Sequence, residues 1–281
     1  MELDVFLLVL CAAFVHATWN AMIKAETDRS ASIETMFATQ SAASVCLIPF
    51  VAMPSADSFY YMLASAALSV AYIEFLQRAY RVGEFSHVYP LARGVAPMLV
   101  TAISVFVLNE SIAPTAQLAV LMISLGIVSL SLSRGADGLR DVRPIFWALG
   151  TSGFIACYSV IDGLGARMSG AVHGYVVWQS LIAAVMVIVA TRLLQRGPDR
   201  KVNWRTRRAG IAAGLMSYGG SWIVVWAMTQ APLPLVSALR ETGVVFAVVI
   251  GITVFKERVR LFRVVSIAMT LAGTVLLKFG R

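Results

Sequence analysis

The chain has 281 residues, of which 59% are apolar and only 14% charged, with a formal net charge of +8. A soluble domain covers its core with about 25% charged residues, so a water-soluble fold is excluded. The charges gather in short runs between apolar stretches of roughly 20 residues, the length that spans a bilayer core. The chain therefore reads as an all-α polytopic membrane protein.

Ten spans are expected along the chain, joined by connections too short for a soluble domain. The first, Leu3–Lys24, starts from an acidic flank and lacks a small-x-small cleavage pattern, so it is expected to stay as a helix rather than act as a signal peptide. It carries His16 and Asn20 at i and i+4, on one helix face. After Ser32–Met53, the third span (Ser58–Arg81) holds Glu74, with Gln77 and Arg78 at i+3 and i+4. The fourth, His87–Leu108, places Arg93 between Pro90 and Pro97, and Glu110 follows it. Each proline removes an N–H and is expected to open the helix locally.

The fifth and sixth spans, Pro114–Ser133 and Pro144–Ala166, begin with proline, whose missing N–H costs nothing at the first helical position. Span six bears Tyr158 and Asp162, again at i and i+4. Gly174–Leu194 is the seventh, and the run "QRGPDRKVNWRTRR" (195–208) after it reads as a basic interfacial loop rather than a nucleic-acid patch. Ala209–Gln230 opens with Gly210 and Gly214, a small-xxx-small pair suited to close helix packing. Tyr218, Trp222 and Trp226 then form a stripe along it. The ninth span, Pro234–Phe255, contains Arg240 and Glu241; Glu257 precedes the tenth, Phe262–Phe279. Cys11, Cys46 and Cys157 all lie in apolar segments without metal or disulfide spacing and read as small packing residues. No His/Cys cluster suggests a metal or cofactor.

Loops after the odd-numbered spans hold 18 of the 23 Lys and Arg residues, and the opposite side holds Arg167, Lys278 and Arg281. Such a bias over short loops places the odd loops in the cytoplasm and both termini outside. A repeat is also legible. A shift of 147 residues lays Arg93 on Arg240, Glu110 on Glu257 and Gly126 on Gly273 without a gap. More weakly, "HATWN" (16–20) can be laid on "YSVID" (158–162). With five helices per copy, residues 1–136 and 137–281, the second copy inserts upside down. Inverted repeats of this kind mark secondary transporters with a site near the midplane.

"HATWN", "YPLARG", "VIDGLGAR" and "LRETGVVFAVVIGITVFKERV" together resemble the drug/metabolite transporter superfamily, in its ten-helix EamA-type branch. The resemblance covers nearly the whole chain. It implies export of small metabolites and assigns the glutamates after spans four and nine to a general family pattern. One departure is the orientation: ten-helix relatives keep their termini inside, whereas the charge bias here puts them outside.

Ionised side chains in a helix centre cost roughly 2.5–3.5 kcal/mol and usually face a cavity or a partner. By depth, His16, Asn20, Glu74 and Arg93 fall in the cytoplasmic half, and Tyr158, Asp162, Arg240 and Glu241 in the outer half, giving two polar clusters. Arg93 has two readings: it pairs with Glu74 or snorkels to the interface, or its planar fork binds a carboxylate or phosphate of the substrate. Glu74 is a local partner of Arg78 or a protonatable coupling group. His16 is either structural or titrating. Trp222 and its stripe either pack or line the cavity, where they offer a cation–π surface. Glu110 and Glu257 read as orientation and packing elements.

A secondary transporter follows, moving a small polar or amphiphilic metabolite (amino-acid-like or an organic anion) by alternating access, as a monomer in the lipid bilayer of a bacterial inner membrane. Without a G-x-x-x-x-G-K-[ST] loop, energy comes from the substrate gradient or from protons. The rivals are a lipid-linked carrier or flippase, an intramembrane enzyme, for which no nucleophile–base pairing is apparent, and a non-transporting subunit. The orientation is directly testable: alkaline phosphatase fused after Arg281 should be active and a cytosolic reporter there dark, and the opposite result inverts the topology.

Overall fold

The computed structural model describes residues 1–131, 142–194, 203–254 and 261–280. Among them the chain forms eleven α-helices: α1 (Leu3–Ala25), α2 (Arg29–Leu47), α3 (Ser58–Val82), α4 (Phe85–Phe106), α5 (Pro114–Ser129), α6 (Val142–Met168), α7 (Val172–Leu194), α8 (Trp204–Gln230), α9 (Leu233–Glu241), α10 (Gly243–Thr253) and α11 (Leu261–Phe279). In lipid, backbone N–H and C=O groups must be satisfied within the segment, and helices do this along their whole length. Among the described residues seven stretches are long and apolar enough to cross a membrane, α9 and α10 counting together as Leu233–Thr253. The apolar α5, with 16 residues, is about 24 Å long, short of a roughly 30 Å core.

Helix ends follow local chemistry. The Asp28 carboxylate accepts from the Ala31 N–H at 3.1 Å at the start of α2, and Asn203 does the same for Arg205 at 3.3 Å at the start of α8. The end of α4 turns through Asn109 in the left-handed region (φ 53°), with Glu110 N–H reaching back to Ser104 O at 2.9 Å. That bond reaches one residue further than the 6→1 bond of a Schellman cap. Gly170 (φ 67°) serves the turn between α6 and α7.

Two expectations change here. The basic stretch expected as a loop is helical from Trp204 onward, its N-terminus capped by Asn203, so its last arginines extend α8; residues 195–202 lie outside the described residues. Span nine is two helices rather than one, parted at Thr242. The boundary between the halves at 136/137 and Glu257 also lie outside the described residues.

Packing joins α3 to α6 and α7, α1 to α8, α9 and α10, α4 to α5, α6 and α9, α2 to α7 and α8, and α5 to α11. The largest core cluster draws Val9, Val100, Ile123, Ile155's neighbour Ala156, Met228 and Leu239 from six helices. Many large apolar side chains, including Leu7, Phe106, Leu125, Val189 and Leu271, remain exposed on the outside, the pattern of a surface solvated by lipid rather than water. Cys11, Cys46 and Cys157 are free and exposed, so they lie on helix surfaces instead of filling the core as expected. A thiol is apolar enough for that position.

Glycines permit the closest approaches. Gly210 and Gly214 of α8 lie against Ser32 O, Thr35, Met36 O and Thr39 of α2, as the small-xxx-small spacing requires. Gly126 of α5 meets Thr270 of α11, Gly273 meets Ala119 O and Ile123, and the Ser266 hydroxyl donates to Gly126 O across that seam.

At the end of the bundle that holds both termini, Arg167 of α6 donates from Nε to Met228 O (2.9 Å), from Nη2 to Ala231 O (3.0 Å), and from Nη1 to Glu110 Oε1 (2.7 Å). It thus satisfies carbonyls at the end of α8 and ties them to the turn after α4, in keeping with the packing role expected of Glu110. Arg167→Ala should lower stability by about 1–2 kcal/mol, read as a fall in the unfolding midpoint in detergent. Glu110→Ala should cost less, because the two carbonyl bonds survive; equal losses would show that only the ion pair matters.

Candidate functional site

The polar centre is assembled where α1, α4 and α9 meet. Arg93 of α4 and Glu241 at the end of α9 approach to 2.6 Å between Nε and Oε2, with side chains only 6% and 2% exposed. The contact is an ion pair without an aligned hydrogen bond at those two atoms. From the other side, Arg93 Nη2 lies 3.3 Å from His16 Nε2. Arginine only donates, so His16 accepts through Nε2 and carries its proton on Nδ1.

The local backbone explains how these groups are held. At Thr242 (φ −58°, ψ −15°) the chain tightens: Thr242 N–H bonds Leu239 O at 3.2 Å and Val245 N–H bonds Thr242 O at 2.8 Å. The Thr242 hydroxyl also donates to Leu239 O, at 2.6 Å. Such a three-residue turn inside a span marks a local departure from α geometry, and it falls beside Arg240 and Glu241. Gly243 follows because a Cβ there would lie 2.9 Å from Ala13 O of α1. By contrast α4 runs unbroken through Pro90 and Pro97, so the opening expected in span four is found in its repeat counterpart instead. The Ser152 hydroxyl of α6 donates to Ala92 O between the two prolines at 2.9 Å.

Three tyrosines act electrostatically on Arg93. Tyr72 and Tyr158 meet edge-to-face with ring centroids 6.0 Å apart, and Tyr72, Tyr89 and Tyr158 all lie within electrostatic reach of Arg93. Arg240, half-buried, is within reach of His16, Tyr72, Tyr89 and Asp162. Asp162 is buried and accepts from the Tyr175 hydroxyl at 3.3 Å and from Ser65.

The expected two clusters are not separate: Arg93 and His16 from one meet Glu241 from the other. Arg93 does not pair with Glu74. Glu74 instead pairs with Arg78 at 2.9 Å, both partners about a third to a half exposed, and the Arg78 guanidinium lies over the Trp147 ring. Asn20 turns back to His16 O within α1 at 2.8 Å. Trp222 stands apart with His173, to which it donates at 2.9 Å, and with Tyr218. Tyr72, Tyr89, Tyr175 and Ser65 were missed. Tyr89 had a signal, since it precedes Arg93 by four residues on the same helix face; Ser65 and Tyr175 had none. Among the described residues no group of three His, Cys, Asp or Glu side chains is placed to hold a metal ion.

Removing one partner of a buried pair leaves the other charge uncompensated, at a cost of about 3–5 kcal/mol, whereas removing both is often neutral. Arg93→Met and Glu241→Gln should each lower the unfolding midpoint, and the double variant should recover much of the loss. Additive losses would mean that the two side chains do not act as a pair.

Residues 142–279 match the family model of the EamA-like transporter family. A crystal structure of another protein superposes with a TM-score of 0.78 over 99% of this chain and 98% of its own, at 16% identity. No curated protein matches the sequence. The whole chain thus has the fold of a solved protein, and through residues 142–279 it belongs to the EamA-like transporter family, part of the drug/metabolite transporter superfamily of membrane proteins.

Proposed function

We propose that this membrane transporter is a secondary exporter of a small polar or amphiphilic metabolite, amino-acid-like or an organic anion, working by alternating access as a monomer. Its ten spans form two inverted repeats, residues 1–136 and 137–281, with both termini outside a bacterial inner membrane. Helix packing supports the repeat: exchanging the halves turns the α1–α8 contact into α6–α3, α4–α6 into α9/α10–α1, and α2–α8 into α7–α3, while α2–α7, α4–α9 and α5–α11 map onto themselves. The direction of transport rests on the family resemblance.

The observation that carries the reading is the Arg93–Glu241 ion pair, buried among apolar helices and joining α4 of one half to α9 of the other. Burying two ions costs several kcal/mol each, and apolar residues of similar size often stabilise as well or better. Ionisable groups kept at membrane depth accordingly point to transport. His16, Arg93, Tyr158, Asp162, Arg240 and Glu241 form the working centre, while Asn20, Glu74 and Trp222 stand outside it. Protons taken up by the buried carboxylates are the coupling ion in this reading.

In liposomes loaded with pooled labelled amino acids and organic acids, the protein should mediate counterflow. Glu241→Ala should slow it at least ~10-fold, or about 1.4 kcal/mol in the barrier, and Glu74→Ala should change it little. Counterflow undiminished in Glu241→Ala would remove the ion pair from the mechanism.

A further inference from the structure

The two arginines related by the repeat have unequal surroundings. Arg93 is met by the Glu241 carboxylate at 2.6 Å and by His16 Nε2 at 3.3 Å. Arg240 is half-buried at the last turn of α9, and among the described residues no carboxylate forms an ion pair with it. Asp162 lies within its electrostatic reach but spends its contacts on Tyr175 and Ser65.

The sequence register accounts for the difference. The shift of 147 that lays Arg93 on Arg240 also lays Gly94 on Glu241, and the shift of 142 that lays Asn20 on Asp162 lays His16 on Tyr158. In the register of the repeat, the position of Glu241 is filled by a glycine and that of His16 by a tyrosine, so neither counterpart supplies Arg240 with a negative charge. Position 94 has no room for an acid. A Cβ there would lie 2.7 Å from Val128 Cγ2 and 3.0 Å from Ser124 O of α5. Among the described residues, an ion-paired carboxylate thus faces the arginine of one half only.

A guanidinium does not shed its charge, and leaving it uncompensated at membrane depth is costly. Taking the transporter reading as given, we propose that the counter-charge to Arg240 is the cargo. Arg240 holds the carboxylate or phosphate of a small amphiphilic solute through its planar fork. Tyr72, Tyr89 and Tyr158 form the aromatic wall, and Arg93 stays engaged with Glu241 as the internal tie between the halves. An ammonium on the same solute faces Asp162, so zwitterions and organic monoanions are preferred over cations.

The test is thermal unfolding of the purified full chain in detergent with benzoate, L-phenylalanine, phenyl phosphate, phosphatidylglycerol or tetraphenylphosphonium as probes. At least one oxyanion should stabilise the parent saturably. Its half-saturating concentration should rise at least ~10-fold in Arg240→Met, and stay within about threefold in Glu74→Ala, whose side chain pairs with Arg78 outside the centre. Without any probe, Arg240→Met should raise the midpoint by removing an uncompensated charge. Response to benzoate or phenyl phosphate assigns the oxyanion to a water-soluble solute, and response to phosphatidylglycerol alone assigns it to a lipid head group. Unchanged oxyanion binding in Arg240→Met, or an equal loss in Glu74→Ala, overturns the assignment. Stabilisation by tetraphenylphosphonium alone overturns it too but leaves the transporter reading standing, whereas no response to any probe counts against both.

Discussion

Everything in this molecule is arranged around an ion pair in a medium that penalises ions. Arg93 and Glu241 come from helices far apart in sequence, and each is tolerable at its depth only because the other is there. The pair fixes how α4 lies against α9, and the crowding of α1 over Gly243 sets how deep Glu241 sits. The break at Thr242 is the local adjustment that lets one span present two oppositely charged neighbours, Arg240 and Glu241, to different partners.

Much of the fold was legible because lipid imposes a strong rule. Each apolar run of about 20 residues had to be a helix, so the starts of α1, α3 and α5 fall within a residue or two of those read from the sequence. The charged loops were less legible: capping by Asn203 carried α8 back over residues that charge alone assigned to an interface. The centre was half legible. Arg93, Arg240, Glu241 and His16 stand out as polar residues in apolar runs, but a position along a helix does not say how far its side chain reaches. An arginine reaches far enough to erase a division drawn at the midplane, which is why Arg93 met Glu241 and not Glu74.

Repeat symmetry is informative here mostly where it fails. Some helix contacts recur on exchange of the halves, such as α1–α8 with α3–α6, while others do not, α4 packing on α5 far more extensively than α10 on α11; the side chains differ as well, with Glu241 answering to Gly94 and His16 to Tyr158 in the sequence register. In the reading proposed above, one of two positions related by the register is a tie and the other a receptor. Tyr89, the first residue of "YPLARG", has Val236 as its counterpart under the same 147-residue shift.

The seam between α5 and α11 bears on how the chain is made. Gly126 O receives its hydroxyl from Ser266, a residue that leaves the ribosome 140 positions later, and Gly273 closes on Ala119 and Ile123 at the same late stage. Membrane helices enter the bilayer roughly in order of synthesis, with the N-terminal part first. Until the last helix arrives, α5 must wait in lipid with its small-residue face uncovered and a shorter apolar length than its neighbours. Completion of the bundle therefore depends on its final segment, and a ribosome stalled before residue 261 would leave the first half inserted but without the surface it was shaped to meet.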